Sequence, residues 1–241
     1  GKGANQAVAA VRAGARVHFV ARVGKDDFGK QALEAFVREG LDTTHILQDP
    51  DLPSGVASIL VDATGENCII VVPGANAALS PVQIDAAAQA FEEASYCLLQ
   101  LEIPLPTVLH AAELAQQYNL PVILNPAPAQ ELPDELLDGL FLITPNETEI
   151  FTLTGIRPET PELIRRATTQ LHNRGVETVL VTLGARGAYL STAQTSLLVP
   201  APHVQVVDTT GAGDAFNGAL AAALASAHPL EAAVQFAVYA G

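Results

Sequence analysis

The chain has 241 residues, 49% of them hydrophobic and 16% charged, which suits one or two ordinary cores and excludes disordered and fibrous classes. Twelve basic against 26 acidic residues give a formal net charge of −14, which repels a phosphate backbone and argues against nucleic acid as a partner. No stretch approaches the roughly eighteen uninterrupted apolar residues of a membrane helix, and the first residues lack an export signal, so no membrane is implied and the expected setting is cytoplasmic.

Taken in order, the pattern predicts a helix over 4–14, a strand over 16–23 (RVHFVARV) and a helix over 27–39. Segments 54–62 and 67–72 flank Ala63-Thr64-Gly65-Glu66 and read as a hairpin turning at Gly65, a small sheet outside the main one. Helices over 80–94 and 104–118, strands over 96–101, 121–125 and 139–144, and helices over 146–154 and 160–174 follow. A strand over 177–183 precedes strand-like segments at 187–191, 195–199 and 203–207, expected to form an antiparallel edge. A Gly-rich turn then opens an Ala-rich helix to about 227, and a last helix fills 229–240. Apolar runs of strand length alternating with amphipathic helices indicate an α/β fold with a mostly parallel sheet. No repeat or linker divides the chain, which reads as one domain, 1–241, with a small insertion. The two cysteines, Cys68 and Cys97, form no C-x-x-C pattern and read as buried free thiols.

The most informative segment is Asp208-Thr209-Thr210-Gly211-Ala212-Gly213-Asp214, a Gly-rich turn between a strand and a helix. Free amides at such a start make an anion site that small residues leave open. Asp214 could complement the helix dipole and Thr210 could cap it, but a carboxylate beside an anion hole suits a base next to a transferring phosphoryl group. A Walker loop is excluded, because neither Ser nor Thr follows Lys2, Lys25 or Lys30. Asp27-Phe28-Gly29 and Asn146-Glu147-Thr148 match a kinase and a glycosylation motif by chance, the six histidines show no metal spacing, and no G-x-S-x-G elbow exists. Thr144-Pro145-Asn146-Glu147-Thr148-Glu149, Thr182-Leu183-Gly184-Ala185-Arg186-Gly187 and Asn125-Pro126-Ala127-Pro128-Ala129 sit at strand ends, where open α/β sheets bind ligands, although Asn146 to Glu149 could equally be a plain helix start. Glu102, just past a strand, would join them on one sheet edge.

Together with Gly1-Lys2-Gly3-Ala4-Asn5-Gln6, these segments resemble, in order and spacing, the PfkB family of sugar and nucleoside kinases. G-K-G-A-N-Q and N-P-A-P-A narrow the resemblance to its ribokinase branch. It implies a ribokinase-like three-layer α/β/α sandwich with a small β-sheet lid at about 54–72, through which two subunits of a homodimer often pair. It further implies ATP-dependent phosphorylation of a sugar's primary hydroxyl, D-ribose first, with fructose, deoxyribose or a nucleoside as alternatives. Asp214 would be the base, the amides of Gly211, Ala212 and Gly213 the anion hole, and Gly1, Lys2, Gly3, Ala4, Asn5 and Glu102 the sugar pocket. Thr182, Leu183, Gly184, Ala185, Arg186 and Gly187 would meet the nucleotide, along with Asn146, Gly213 and Asp214. Asn146 and Glu149 would organise magnesium, mainly through water, and Asp208 with the carbonyl of Thr210 would hold potassium. A binding module without turnover is the rival reading, and the retained Asp214 and Gly-Ala-Gly argue against it. The family's first strand would precede Gly1 and its adenine-contacting helix would follow Gly241, so the 241-residue chain alone is expected to turn over poorly.

Overall fold

The structure, a computed structural model, describes residues 1–61, 67–206 and 208–241. It opens with helix α1 (Lys2–Arg12), strand β1 (Ala21–Gly24), α2 (Asp27–Arg38) and β2 (Ile46–Asp49). The Asp26 carboxylate accepts the Gly29 amide at 2.8 Å and caps α2, so the D-F-G letters there mark a helix start. The hairpin β3 (Val56–Val61) and β4 (Asn67–Val72) follows, then a 3-10 turn (Gly74–Ala78), α3 (Pro81–Asp85) and α4 (Ala88–Glu93). Next come β5 (Cys97–Leu99), α5 (Leu105–Gln117), β6 (Val122–Leu124), α6 (Asp134–Leu137), β7 (Leu142–Ile143), α7 (Glu147–Thr154) and α8 (Pro161–Asn173). The chain closes with β8 (Thr178–Thr182), β9 (Ala188–Ser191), β10 (Ser196–Val199), α9 (Ala212–Ala225) and α10 (Leu230–Ala240).

Six strands form one sheet in the order β10-β9-β8-β7-β6-β5, parallel from β5 to β8 and antiparallel across β9 and β10. Side chains alternate between its faces, as strand geometry requires. Val122, Leu124, Ile143, Val179 and Val181 enter the core under α5 and α8, whereas Ile123, Leu142 and Leu180 enter the core under α9 and α10. Both faces are therefore covered, which explains why these strands read as unbroken apolar runs. The α/β fold with a mostly parallel sheet expected from the alternation, and the three-layer sandwich implied by the resemblance, are what is observed.

Several boundaries differ from expectation. The expected 16–23 strand forms its ladder only from Ala21, and with β2, not with the six-stranded sheet; upstream, His18 makes a single bridge to Asp42. The expected 80–94 helix breaks between Asp85 and Ala88. Residues 203–206 form no strand, and Val204 and Val206 lie exposed, with no partner strand beside them among the described residues. The hairpin pairs as expected, Val56 with Val72 through Val61 with Asn67, while its turn at Gly65 and the Cys68 side chain lie outside the described residues. Cys97, expected to be buried, is half-buried and lines a cavity; desolvation pushes its thiol up to about 12, which keeps it protonated.

Helix α1 packs on α9, and Gly218 makes the approach possible: a Cβ there would come within 2.5 Å of the Gln6 carbonyl and 2.6 Å of the Ala9 side chain. That close crossing brings the start of α1 to the start of α9. A cavity of about 600 Å³ lies beside it, walled by Val17 to Val23 on one side and Tyr96 to Gln100 on the other.

Candidate active site

The centre of the site is the first turn of α9. Gly211 adopts φ +80°, ψ 0°, a left-handed conformation that costs other residues about 1 kcal/mol or more, and it turns the chain into the helix. The amides of a first helical turn have no partner within the helix and carry its positive dipole end. Cβ atoms built at Gly211 and Gly213 would meet no heavy atom within 4 Å, so space stands open in front of this turn. Just upstream, the Asp208 carboxylate accepts the Thr210 amide at 2.8 Å, and that bond, aided by the Thr210 hydroxyl, holds its carboxyl below the usual range.

Asp214, one residue beyond the exposed Gly213, is only 6% exposed. Its Oδ2 accepts from Asn5 Nδ2 at 2.8 Å and its Oδ1 from Gln6 Nε2 at 2.9 Å, so α1 aims the carboxylate. Two amide donors compensate what would otherwise be a costly buried charge. At the N-terminus of α1, the Lys2 amide donates to Glu102 Oε2, and a side chain at Gly1 would collide with that carboxylate. Gly1, Gly3, Ala4 and Glu102 line the cavity that runs along α1, whereas Lys2, Asn5 and the Gly211–Asp214 turn do not.

The loops after β7 and β8 join this edge. Asn146 bridges to Thr182 in parallel register, and the Thr182 amide donates to the Pro145 carbonyl at 3.0 Å. Asn146 and Glu149 form a reciprocal cap on α7: the Glu149 amide donates to Asn146 Oδ1 at 2.8 Å, while the Asn146 amide and Nδ2 each donate to the Glu149 carboxylate at 2.9 Å. The plain helix-start role is therefore realised by these two residues. Burial pushes the Glu149 carboxyl up despite the Asn146 amide, and nearby Asp214 raises it further while Lys2 opposes. Among the nucleotide-turn residues, Leu183 donates its amide to the Gly187 carbonyl at 2.8 Å, Gly184 and Ala185 begin a 3-10 turn, and the Arg186 guanidinium pairs with Glu147.

The direction of the Glu149 shift makes a prediction. A carboxyl raised in the folded state binds more protons there than in the unfolded chain, so stability is lost as pH climbs from the ordinary carboxylate range through the raised value. Glu149→Gln removes that penalty and retains an acceptor for the Asn146 amide. Its melting temperature relative to wild type is expected to rise by a few degrees between pH 4 and pH 8, measured by thermal unfolding. A difference that stays flat with pH contradicts the assignment.

Two positions escaped sequence reasoning. Gln6 and Asn125 stand in recognised segments, yet neither had a role, and the structure joins them through a 2.9 Å bond at the heart of the site. The signal was available in Gln6, a long polar side chain among alanines and valines on the packed face of α1.

With this geometry in view, comparison with known proteins is decisive: the profile of the pfkB family carbohydrate kinases matches residues 1–241. The chain belongs to the pfkB family of carbohydrate kinases. It is 43% identical over 236 residues to the ribokinase of Haemophilus influenzae, covering 98% of this chain and 77% of that protein. It is 41% identical to the deoxyribokinase of Salmonella typhi, covering 99% of this chain and 78% of that protein. Among solved structures, the ribokinase of Arabidopsis thaliana complexed with ribose and ATP superposes with a TM-score of 0.94 at 36% identity, covering 99% of this chain and 78% of that one.

For a pfkB kinase the donor inventory bears on metals. Among the described residues no three His, Cys, Asp or Glu side chains gather into a metal cluster, and both Glu149 oxygens are engaged by Asn146. A magnesium ion carried mainly by nucleotide phosphates and water would be compatible with this arrangement, Asn146 and Glu149 then reaching it through its waters. The Asp208 carboxylate, its carboxyl held below the usual range, and the Thr210 carbonyl would be two of the oxygens available to a monovalent cation there.

Proposed function

We propose that this chain transfers the γ-phosphoryl group of ATP to the primary hydroxyl of a free sugar, D-ribose, giving ribose 5-phosphate and ADP. The observation that carries the reading is Asp214, a buried carboxylate oriented by two amide donors directly behind an open Gly-Ala-Gly helix start. Asp214 takes the proton of the sugar hydroxyl as its oxygen bonds to the γ-phosphorus and the bond to the ADP oxygen breaks. The amides of Gly211, Ala212 and Gly213 receive the charge that accumulates on the γ-oxygens, that of Ala212 giving up its 3.2 Å bond to the Thr209 carbonyl to do so. Gly1, Lys2, Gly3, Ala4, Asn5 and Glu102 hold the sugar, and Glu102 Oε1 is the oxygen not taken by the Lys2 amide. The Thr182 to Gly187 turn receives the nucleotide. Bound magnesium would neutralise phosphate charge in a chain of net charge −14, and potassium at Asp208 and Thr210 would shape the loop that carries the anion hole.

The hairpin at 54–72 acts as a lid over the sugar in this reading. Ile70, Val71 and Val72 of β4 are 51%, 58% and 49% exposed, an apolar run suited to pairing with the lid of a second copy. A cytoplasmic setting accords with ATP and a free sugar as substrates, and no helix among the described residues is long and apolar enough to cross a membrane.

The full-length product of the gene, supplied with magnesium-ATP and potassium, is expected to release ADP in proportion to D-ribose. The 41% identity to a deoxyribokinase makes 2-deoxy-D-ribose the competing acceptor, so both sugars belong in one assay. A kcat/KM higher for D-ribose supports the reading; the reverse reassigns the acceptor, and silence with a sugar panel from an ATP-binding protein overturns catalysis.

A further inference from the structure

We propose that Gln6 is a positioning residue for phosphoryl transfer, fixing Asp214 and the anion-hole turn through one string of buried amide and hydroxyl bonds. The inference rests on the reading of Asp214 as the base. Gln6 is 1% exposed, and every hydrogen-bonding group of its side chain is used. Nε2 donates to Asp214 Oδ1 and to Asn125 Oδ1, both at 2.9 Å, and Oε1 accepts from Gln100 Nε2 at 2.7 Å. An amide has two N–H donors and a carbonyl, so this geometry leaves Gln6 no second orientation.

The string continues in one direction. Asn125 Nδ2 donates to the Thr144 carbonyl at 3.3 Å, the Thr144 hydroxyl to Asn217 Oδ1 at 2.6 Å, and Asn217 Nδ2 to the Gly213 carbonyl at 2.7 Å. Asn125, Thr144 and Asn217 are each less than 7% exposed, so water cannot stand in for a lost partner. One end of the string therefore grips the carboxylate and the other grips the Gly213 carbonyl, in the peptide that joins the anion-hole turn to Asp214. Asn5 also reaches Asp214, but it is exposed and spends its bond on Oδ2 alone. Nothing in folding requires a fully satisfied polar string where the first turns of α1 and α9 meet, since apolar residues of the same shape would serve packing as well. Its cost is explained by the orientation it imposes on Asp214.

The test is a double-mutant cycle on steady-state kinetics, with D-ribose or, where it is the better acceptor, 2-deoxy-D-ribose. Gln6→Met keeps length and volume while removing both donors and the acceptor. It is expected to lower kcat by about 30- to 100-fold, the scale of a misplaced reacting group, with both KM values within about threefold. In the Asp214→Asn background the same change is expected to cost no more than about threefold, because Gln6 acts through Asp214. Losses that multiply in the double variant, or a Gln6→Met kcat near wild type, overturn the proposal while leaving Asp214 as base. An Asp214→Asn variant with unchanged kcat removes the base reading and this inference with it. Should Gln6→Met fail to fold, Gln100→Met, which strips only the bond into Gln6 Oε1, is expected to lower kcat several-fold at unchanged ATP affinity, and an unaltered kcat there overturns the proposal.

Discussion

Asp214→Asn is expected to abolish nearly all turnover, with kcat falling by about 10³-fold or more and the KM values for sugar and ATP moving by less than about threefold. A positioned general base contributes roughly 10²- to 10⁴-fold, and here its loss also puts a neutral group where the proton must go. The fold should survive. Asn presents one carbonyl oxygen and one NH2, so it can still accept from Gln6 Nε2 but turns its own N–H toward Asn5 Nδ2. Asn5 is exposed and can turn to water, which limits the damage to about 1 kcal/mol, or roughly 2–4 °C in melting temperature for a chain of this size. ADP-release kinetics and a thermal melt on the same preparation check both halves. Retained turnover would remove Asp214 from the chemistry, and a collapsed melt would show that its role is in the fold.

What the sequence disclosed about this site, and what it withheld, follows from the range of the forces involved. Strands β6, β7 and β8 were legible because burial on both faces makes their residues apolar without interruption, a signal contained within each segment. The loops at their carboxyl ends were legible because Gly, Pro and Asn mark local turns. Strand β2 was not, since Ile46-Leu47-Gln48-Asp49 holds only two apolar residues and owes its conformation to pairing with β1, twenty-five positions upstream. The break between α3 and α4 was equally silent: Asp85-Ala86-Ala87-Ala88 contains no helix breaker, so packing and not propensity ends the helix. His203-Val204-Gln205-Val206 misled in the opposite sense, its alternation being that of a strand with no neighbour among the described residues. The Gln6 network lay beyond reach because its bonds span 94 to 208 positions, distances that no periodicity encodes.

Gly213→Val separates catalysis from stability at a single position, and kcat is expected to drop by about 10²- to 10³-fold while the melting temperature moves by no more than about 3 °C. The stability half rests on space: a Cβ at Gly213 meets no heavy atom within 4 Å, and its helical backbone suits any L residue. Replacing glycine in such a conformation also narrows the unfolded ensemble, which offsets the modest cost of a β-branched residue in a helix. The catalytic half rests on the same space. The open volume before the turn is where the phosphoryl oxygens would approach the amides, and a branched side chain there holds them off; losing one such donor typically costs about 10²- to 10³-fold. Gly213→Ala, with one methyl, should fall between the two. A Gly213→Val enzyme that melts like wild type and turns over like wild type would place the transferring group somewhere other than the start of α9. A variant that melts early would mean that glycine serves a contact this structure does not contain.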